Sequence, residues 1–178
     1  MKPTRVSKEK VLFQNRFLKL HSVVADFDTF QKEYFVTTYG RRVGVLVLKD
    51  DSVLLVRQYR LLIDRLSWEI PGGKVEDNET FEEAAVKECL EETGVRCNTL
   101  NPLFQYYPGT ECVNNPTYLF YSKDFEKVGE IKDQTEIHSA EWMPFSECLD
   151  MIIQQKILDG LTVIALFSYA VLHKTPGR

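Results

Sequence analysis

The chain has 178 residues, 44% of them apolar and 27% charged, with a formal net charge of −4 and an isoelectric point near 5.5. This is the make-up of a soluble protein with one core, arranged as a single domain with at most a small appended element. It excludes the basic footprint of a nucleic-acid binder, offers no apolar run of membrane-spanning length, and shows no apolar segment behind the polar start MKPTRVSKEK that a secretory signal would need.

In chain order, VLFQNRFLKLHSVVADF (residues 11–27) mixes β-branched and aromatic residues with polar ones, predicting two strands joined by a turn and a third strand near Lys32–Thr38. GVLVLKDDSVLLVRQYR reads as a hairpin turning at Asp50-Asp51, its first strand apolar enough to be buried on both faces. LSWEIPGG is a short strand that Pro71 and the paired glycines end. A helix follows, with Thr80 and Glu83 spaced as a capping box and Gly94 placed as its C-terminal stop. Further strands are expected near Leu103–Tyr107, Thr117–Tyr121 and His138–Met143, then helices near Phe145–Gln155 and Leu161–His173. LTVIALFSYAVL, within the last, has the length of a buried helix. The pattern is α/β, a mixed sheet flanked by helices with a β-rich N-terminal segment. Cys89, Cys97, Cys112 and Cys148 show no CxxC pair and no zinc-type spacing, which suits free thiols in a reducing cytoplasm.

Within the stretch KVEDNETFEEAAVKECLEETG (residues 74–94), the span from Glu76 to Glu92 crowds acidic residues around one base, Lys87. On a helical wheel with Phe81 at zero, Glu91 falls near 280°, Glu88 near 340° and Glu92 near 20°, a shared sector of roughly 100°. Ala85, Val86, Cys89 and Leu90 form the neighbouring apolar arc, so the carboxylates border the buried face. Lys87 stands outside the sector, spaced to pair with Glu83 and Glu91. Two readings fit: a solvated acidic face, or a site for a divalent cation such as Mg²⁺ or Mn²⁺, whose charge would offset the repulsion.

The spacing also carries a resemblance. Gly73, five residues, Glu79, seven residues, then KECLEETGV (residues 87–95) resembles the Nudix box, G-x5-E-x7-R-E-U-x-E-E-x-G-U, with U a bulky apolar residue. The resemblance implies an α/β/α sandwich whose box forms a loop and helix around Mg²⁺ or Mn²⁺. Carried over by position, Glu88 and Glu92 are metal ligands, Glu91 binds metal directly or through water and takes part in catalysis, and Gly72 offers a carbonyl. Glu79 becomes an orienting or water-held carboxylate. The implied reaction is hydrolysis of a nucleoside diphosphate linked to another group.

LLVRQYR, WEIPGG, YYPG and ILDGLTVIALF are similar to the ADP-ribose pyrophosphatase and nucleoside-diphosphate-sugar branch. That likeness implies residues 1–40 as an N-terminal β segment that builds a homodimer, and 41–178 as the hydrolase domain. It implies Arg57 and Arg60 as contacts to substrate phosphates, Arg60 the stronger because guanidinium grips phosphate bidentately. Glu69 either touches substrate or orients a neighbour, and Pro108 belongs to a substrate loop. Tyr106 and Tyr107 either stack on a base or pack in the core. In KDQTEIHSAEW, Glu136 aligns best with the catalytic acid and Asp133 second; none of the three histidines is given a role. The implied substrate is ADP-ribose or a related nucleoside diphosphate sugar, the alternatives being a non-catalytic nucleotide-sugar sensor or a nucleoside triphosphate pyrophosphohydrolase. Three positions depart from the pattern: Lys87 for the box arginine, Cys89 for a larger aliphatic, and Val113 for a loop glutamate.

Overall fold

The structure is a computed structural model that describes residues 1–174; the last residues of the expected 41–178 domain lie outside it. Its elements begin with β1 (Arg5–Val6), β2 (Lys10–Gln14), β3 (Lys19–Asp26), β4 (Gln31–Thr38), β5 (Arg41–Lys49) and β6 (Ser52–Arg60). A 3-10 turn (Leu61–Ile63), β7 (Arg65–Glu69), β8 (Gly72–Val75), α1 (Phe81–Thr93) and β9 (Val95–Tyr106) follow. Then come β10 (Val113–Asn114), β11 (Thr117–Lys127), β12 (Ile137–Pro144), α2 (Phe145–Ile153), α3 (Gly160–Tyr169) and a π-helical turn (Ala170–Lys174).

By their contacts these divide into two units, Met1–Arg41 with Tyr106–Thr117, and Arg42–Gln105 with the described residues from Tyr118 onward. In the first, β3 is the hub. It pairs antiparallel with β4 along its length, while β1 and β2 take successive parts of its other edge. The short β10 joins β4 in parallel, so the chain returns to this unit long after leaving it.

The second unit is a seven-stranded sheet in the order β12-β6-β5-β11-β9, with β7 also on β6 and β8 also on β5. Neighbouring strand residues point to opposite faces, and β5 shows what each face meets. Val43, Val45 and Val47 join a buried cluster with Ala84, Ala85 and Cys89 of α1. Between them, Gly44 faces Leu161 of α3 and Leu119 of β11, and an added Cβ would collide with the Leu161 side chain. A helix thus covers each face, and β5 is buried on both, as its unbroken apolar run predicted. All four cysteines are free thiols, and no helix among the described residues is long and apolar enough to cross a membrane.

The hairpin, the box helix and the two closing helices fall where the sequence placed them. The LSWEIPGG strand also stops as expected, β7 ending at Glu69 ahead of Pro71, but Gly72 and Gly73 then open a further strand, β8, beside β5, where the absence of side chains allows close approach. β1 and β10, at two residues each, are too short for any periodicity to announce.

Candidate active site

The site is built around α1. Thr80 accepts from the Glu83 amide at 3.1 Å and Glu83 accepts from the Thr80 amide at 2.9 Å, completing the capping box. Gly94 ends the helix in the left-handed region (φ 70°), which favours glycine. Because the cap occupies Glu83, Lys87 does not pair there, and its direct contacts do not include Glu91 either. Its ammonium donates to both oxygens of Glu79, at 2.8 and 3.0 Å, and lies 3.6 Å from Glu88 Oε1. Glu79 in turn accepts from the Glu76 amide at 3.1 Å. One lysine therefore ties the loop before the helix to the first carboxylate of the acidic sector. Partial burial works against its charge, but the bond to Glu79 and the fields of Glu88, Glu79 and Glu91 hold its pKa above the ordinary lysine value.

Gly73 leaves the room Glu88 uses: a Cβ there would stand 2.6 Å from Glu88 Cδ. Burial raises the Glu88 pKa, with Lys87 pulling it down and Glu91 pushing it up. Glu92 goes further than the wheel implied, because it is not at the border of the buried face but within it, 8% exposed. Its Oε2 accepts from the Gly72 amide at 3.0 Å, which sets the Gly72 peptide against this carboxylate. Burial pushes its pKa up to about 8, opposed by the Gly72 amide and reinforced by the charges of Glu88 and Glu69.

A buried carboxylate, Glu92, beside a half-buried one, Glu88, whose charge it resists, fits a hard divalent cation. Among the described residues no three His, Cys, Asp or Glu side chains already converge as a cage. An open set of one or two carboxylates and a peptide carbonyl is how Mg²⁺ is commonly held, with water and substrate phosphates completing it. The solvated-face reading fails for Glu92 on burial alone.

The β6–β7 register builds the neighbouring wall. Cross-strand partners share a face, so Gln58, Arg60, Ser67 and Glu69 point one way and Arg57 with Trp68 the other. Arg60 grips Glu69 with a two-pronged contact, Nε to Oε1 at 2.9 Å and Nη2 to Oε2 at 2.6 Å. Gln58 adds a bond to Glu69 Oε2 at 3.2 Å. The charges of Glu69 and Arg60 both act on Glu92, so this pair joins the box cluster. Glu69 thus orients Arg60 in the structure. Arg57 does not join; it stacks on Trp68 at 5.1 Å, with its Nε buried and lacking a hydrogen-bond partner.

Glu136, on the loop entering β12, is exposed and near enough for its charge to help hold the Arg60 proton. Asp133 faces its own loop, its Oδ1 accepting from Thr135 Oγ1 at 2.7 Å and from the Thr135 and Glu136 amides at 3.3 and 3.2 Å. Pro108 belongs to the first unit, as does Tyr107, which is half-exposed and lines a cavity of about 330 Å³ with Val36, Cys112 and Val113. Two further contributors escaped the sequence reading. Gln58 had a visible signal, sharing a strand face with Arg60 two residues on. Asp159 had the N-cap signal DGLT: it caps α3 through Thr162 and adds its field to Arg60.

Residues 38–159 match the family model of the NUDIX domain. The chain is 32% identical to a GDP-mannose pyrophosphatase of Cronobacter sakazakii, over 89% of this chain and 91% of that protein. It is 29% identical to a CMP-5'-(N-acetyl-N-hydroxy-3-aminopropyl)phosphonate hydrolase of Streptomyces rubellomurinus, over 90% and 79%. A solved structure of an ADP compounds hydrolase superposes with a TM-score of 0.81 at 21% identity, covering all of this chain (100%) and 97% of the other.

Proposed function

Since the chain belongs to the Nudix family and is a pyrophosphohydrolase of that family, we propose that it hydrolyses, with Mg²⁺ or Mn²⁺, the pyrophosphate bond of ADP-ribose or a related nucleoside diphosphate sugar. The products are a nucleoside monophosphate and a sugar phosphate. The observation that carries this reading is the charge-coupled cluster of Glu88, Glu92, Glu69 and Arg60 around the box helix. Relatives whose named substrates join a cytidine or guanosine nucleotide to a non-nucleotide group support it.

In this proposal Glu88, Glu92 and the Gly72 carbonyl hold the cation, with Glu91 beside them as ligand or catalytic carboxylate. The bound cation would neutralise charge on the pyrophosphate and ease deprotonation of the attacking water. Arg60, held through Nε and Nη2 by Glu69, which Gln58 steadies in turn, presents its remaining N–H groups to a phosphate. Arg57 and Pro108 keep supporting substrate roles, Arg57 because its Nε still lacks a partner. Glu136 takes the proton of the attacking water. Lys87 supports catalysis over mere sensing, since it still holds Glu79 and Glu88 in the box arginine's place.

We place the protein in the cytoplasm as a homodimer formed through its N-terminal unit. Val11, Phe13, Phe17 and Phe35 of that unit are each about half exposed or more, an apolar surface suited to a second copy. The test is release of nucleoside monophosphate from a panel of nucleoside diphosphate sugars with each metal, on protein whose dimer is confirmed by light scattering. No product from any substrate, with the fold intact, would sink the reading.

A further inference from the structure

We infer that Asp133 is a positioning residue, fixing the segment that carries Glu136 against the C-terminal turn of α1. The inference rests on the role proposed above for Glu136. A helix leaves its last carbonyls unpaired, and here this loop takes them. Val128 and Gly129 donate to Gly94 O at 3.0 and 3.2 Å, and the Lys127 ammonium reaches Thr93 O at 3.0 Å. Deeper in the helix end, the Lys132 and Asp133 amides both donate to Glu91 O, at 2.9 and 3.2 Å. Gly94 and Gly129 meet so closely that a Cβ on Gly94 would strike the Gly129 carbonyl.

Asp133 is where this anchorage passes to Glu136. Its amide donates to the box helix, its Oδ1 gathers Thr135 Oγ1 and the Thr135 and Glu136 amides, and its carbonyl accepts from the Ile137 amide at 3.1 Å. Ile137 is buried and opens β12 opposite Gln58 of the Arg60 wall. The Glu136 backbone therefore has one side chain holding its N–H and a packed strand immediately behind it. With Oδ1 committed to three donors inside its own loop, Asp133 is placed to aim the acid, not to replace it. Because the carbonyl that takes the Asp133 amide belongs to Glu91, the acid and the carboxylate helix are registered to one another through Asp133.

The test compares Asp133→Ala, Asp133→Asn, Glu136→Gln and the Asp133→Ala/Glu136→Gln pair in the full chain. Turnover uses the nucleoside diphosphate sugar best cleaved in the panel, with amide exchange read over residues 130–137. Asp133→Ala is expected to lower kcat about 10- to 100-fold, the scale of a misplaced catalytic group, with KM little changed. Asp133→Asn keeps Oδ1 as an acceptor and should restore most of kcat and the protection of the Thr135 and Glu136 amides. On the Glu136→Gln background, Asp133→Ala should cost nothing further. Full kcat in Asp133→Ala beside a crippled Glu136→Gln overturns the inference, as do losses that multiply. Unimpaired Glu136→Gln instead overturns the assignment of the acid, and shows itself as such because the exchange pattern at Asp133 is read separately.

Discussion

Replacing Glu92 by Gln should stabilise the metal-free protein at alkaline pH while abolishing turnover. In the fold the Glu92 carboxyl has a pKa of about 8, against an ordinary value of 4.5. Between those values the folded state holds a proton that the unfolded chain has released, so stability is fullest below pH 4.5 and is lost as pH rises to about 8. Each pH unit in that window costs about 1.4 kcal/mol, reaching at most about 5 kcal/mol above it. Glutamine stays neutral and can still accept the Gly72 N–H, so it escapes this loss. The assay is urea unfolding of both proteins in chelator near pH 5, 6.5 and 8, repeated with excess Mg²⁺. The two midpoints should lie close near pH 5 and separate in favour of the variant by pH 8. Mg²⁺ should then stabilise only the parent appreciably, because the cation meets the charge that burial penalises. Parallel pH profiles in chelator would refute the burial argument; equal stabilisation of both by Mg²⁺ would refute Glu92 as a ligand.

Glu83→Gln, by contrast, touches only the capping box and should cost about 0.5 kcal/mol in thermal unfolding with turnover nearly intact. Lys87→Met should lower kcat/KM roughly tenfold and raise the Mg²⁺ requirement by freeing Glu79 and Glu88, and Lys87→Arg should restore both, read by metal titration of activity. The paired glycines separate two effects. Gly73→Ala should fold yet displace the Glu88 side chain and lose activity, whereas Gly72→Ala meets the Val43 carbonyl and Gly44 backbone and should lower the melting temperature. Arg60→Ala leaves the buried Glu69 with Gln58 alone, so it should destabilise the fold by about 1.5 kcal/mol in urea as well as raise KM.

The sequence by itself determined whatever depends on neighbours a few residues apart. Thr80, Glu83 and Gly94 bound the helix, Asp50-Asp51 turn the hairpin, and the 3.6-residue repeat puts Glu88, Glu91 and Glu92 on one side. The box spacing identified the family for the same reason, since loop and helix are contiguous in the chain.

Only the tertiary structure decided the pairings made across strands and loops. Lys87 chose Glu79, eight residues back, because Glu83 was spent on the cap and the loop folded over the helix. Arg60 met Glu69, and parted from Arg57, because the β6–β7 register fixes which side chains share a face. Tyr106–Thr117 returned to the first unit through a two-residue strand too short to read in advance. The roles proposed for Asp133 and Glu136, alike as carboxylates in one polar loop, differ because that loop docks on the Glu91 carbonyl and turns one of them inward. Local periodicity brought the carboxylates to one helix face; burial against the Gly72 strand gave Glu92 its unwillingness to carry charge alone.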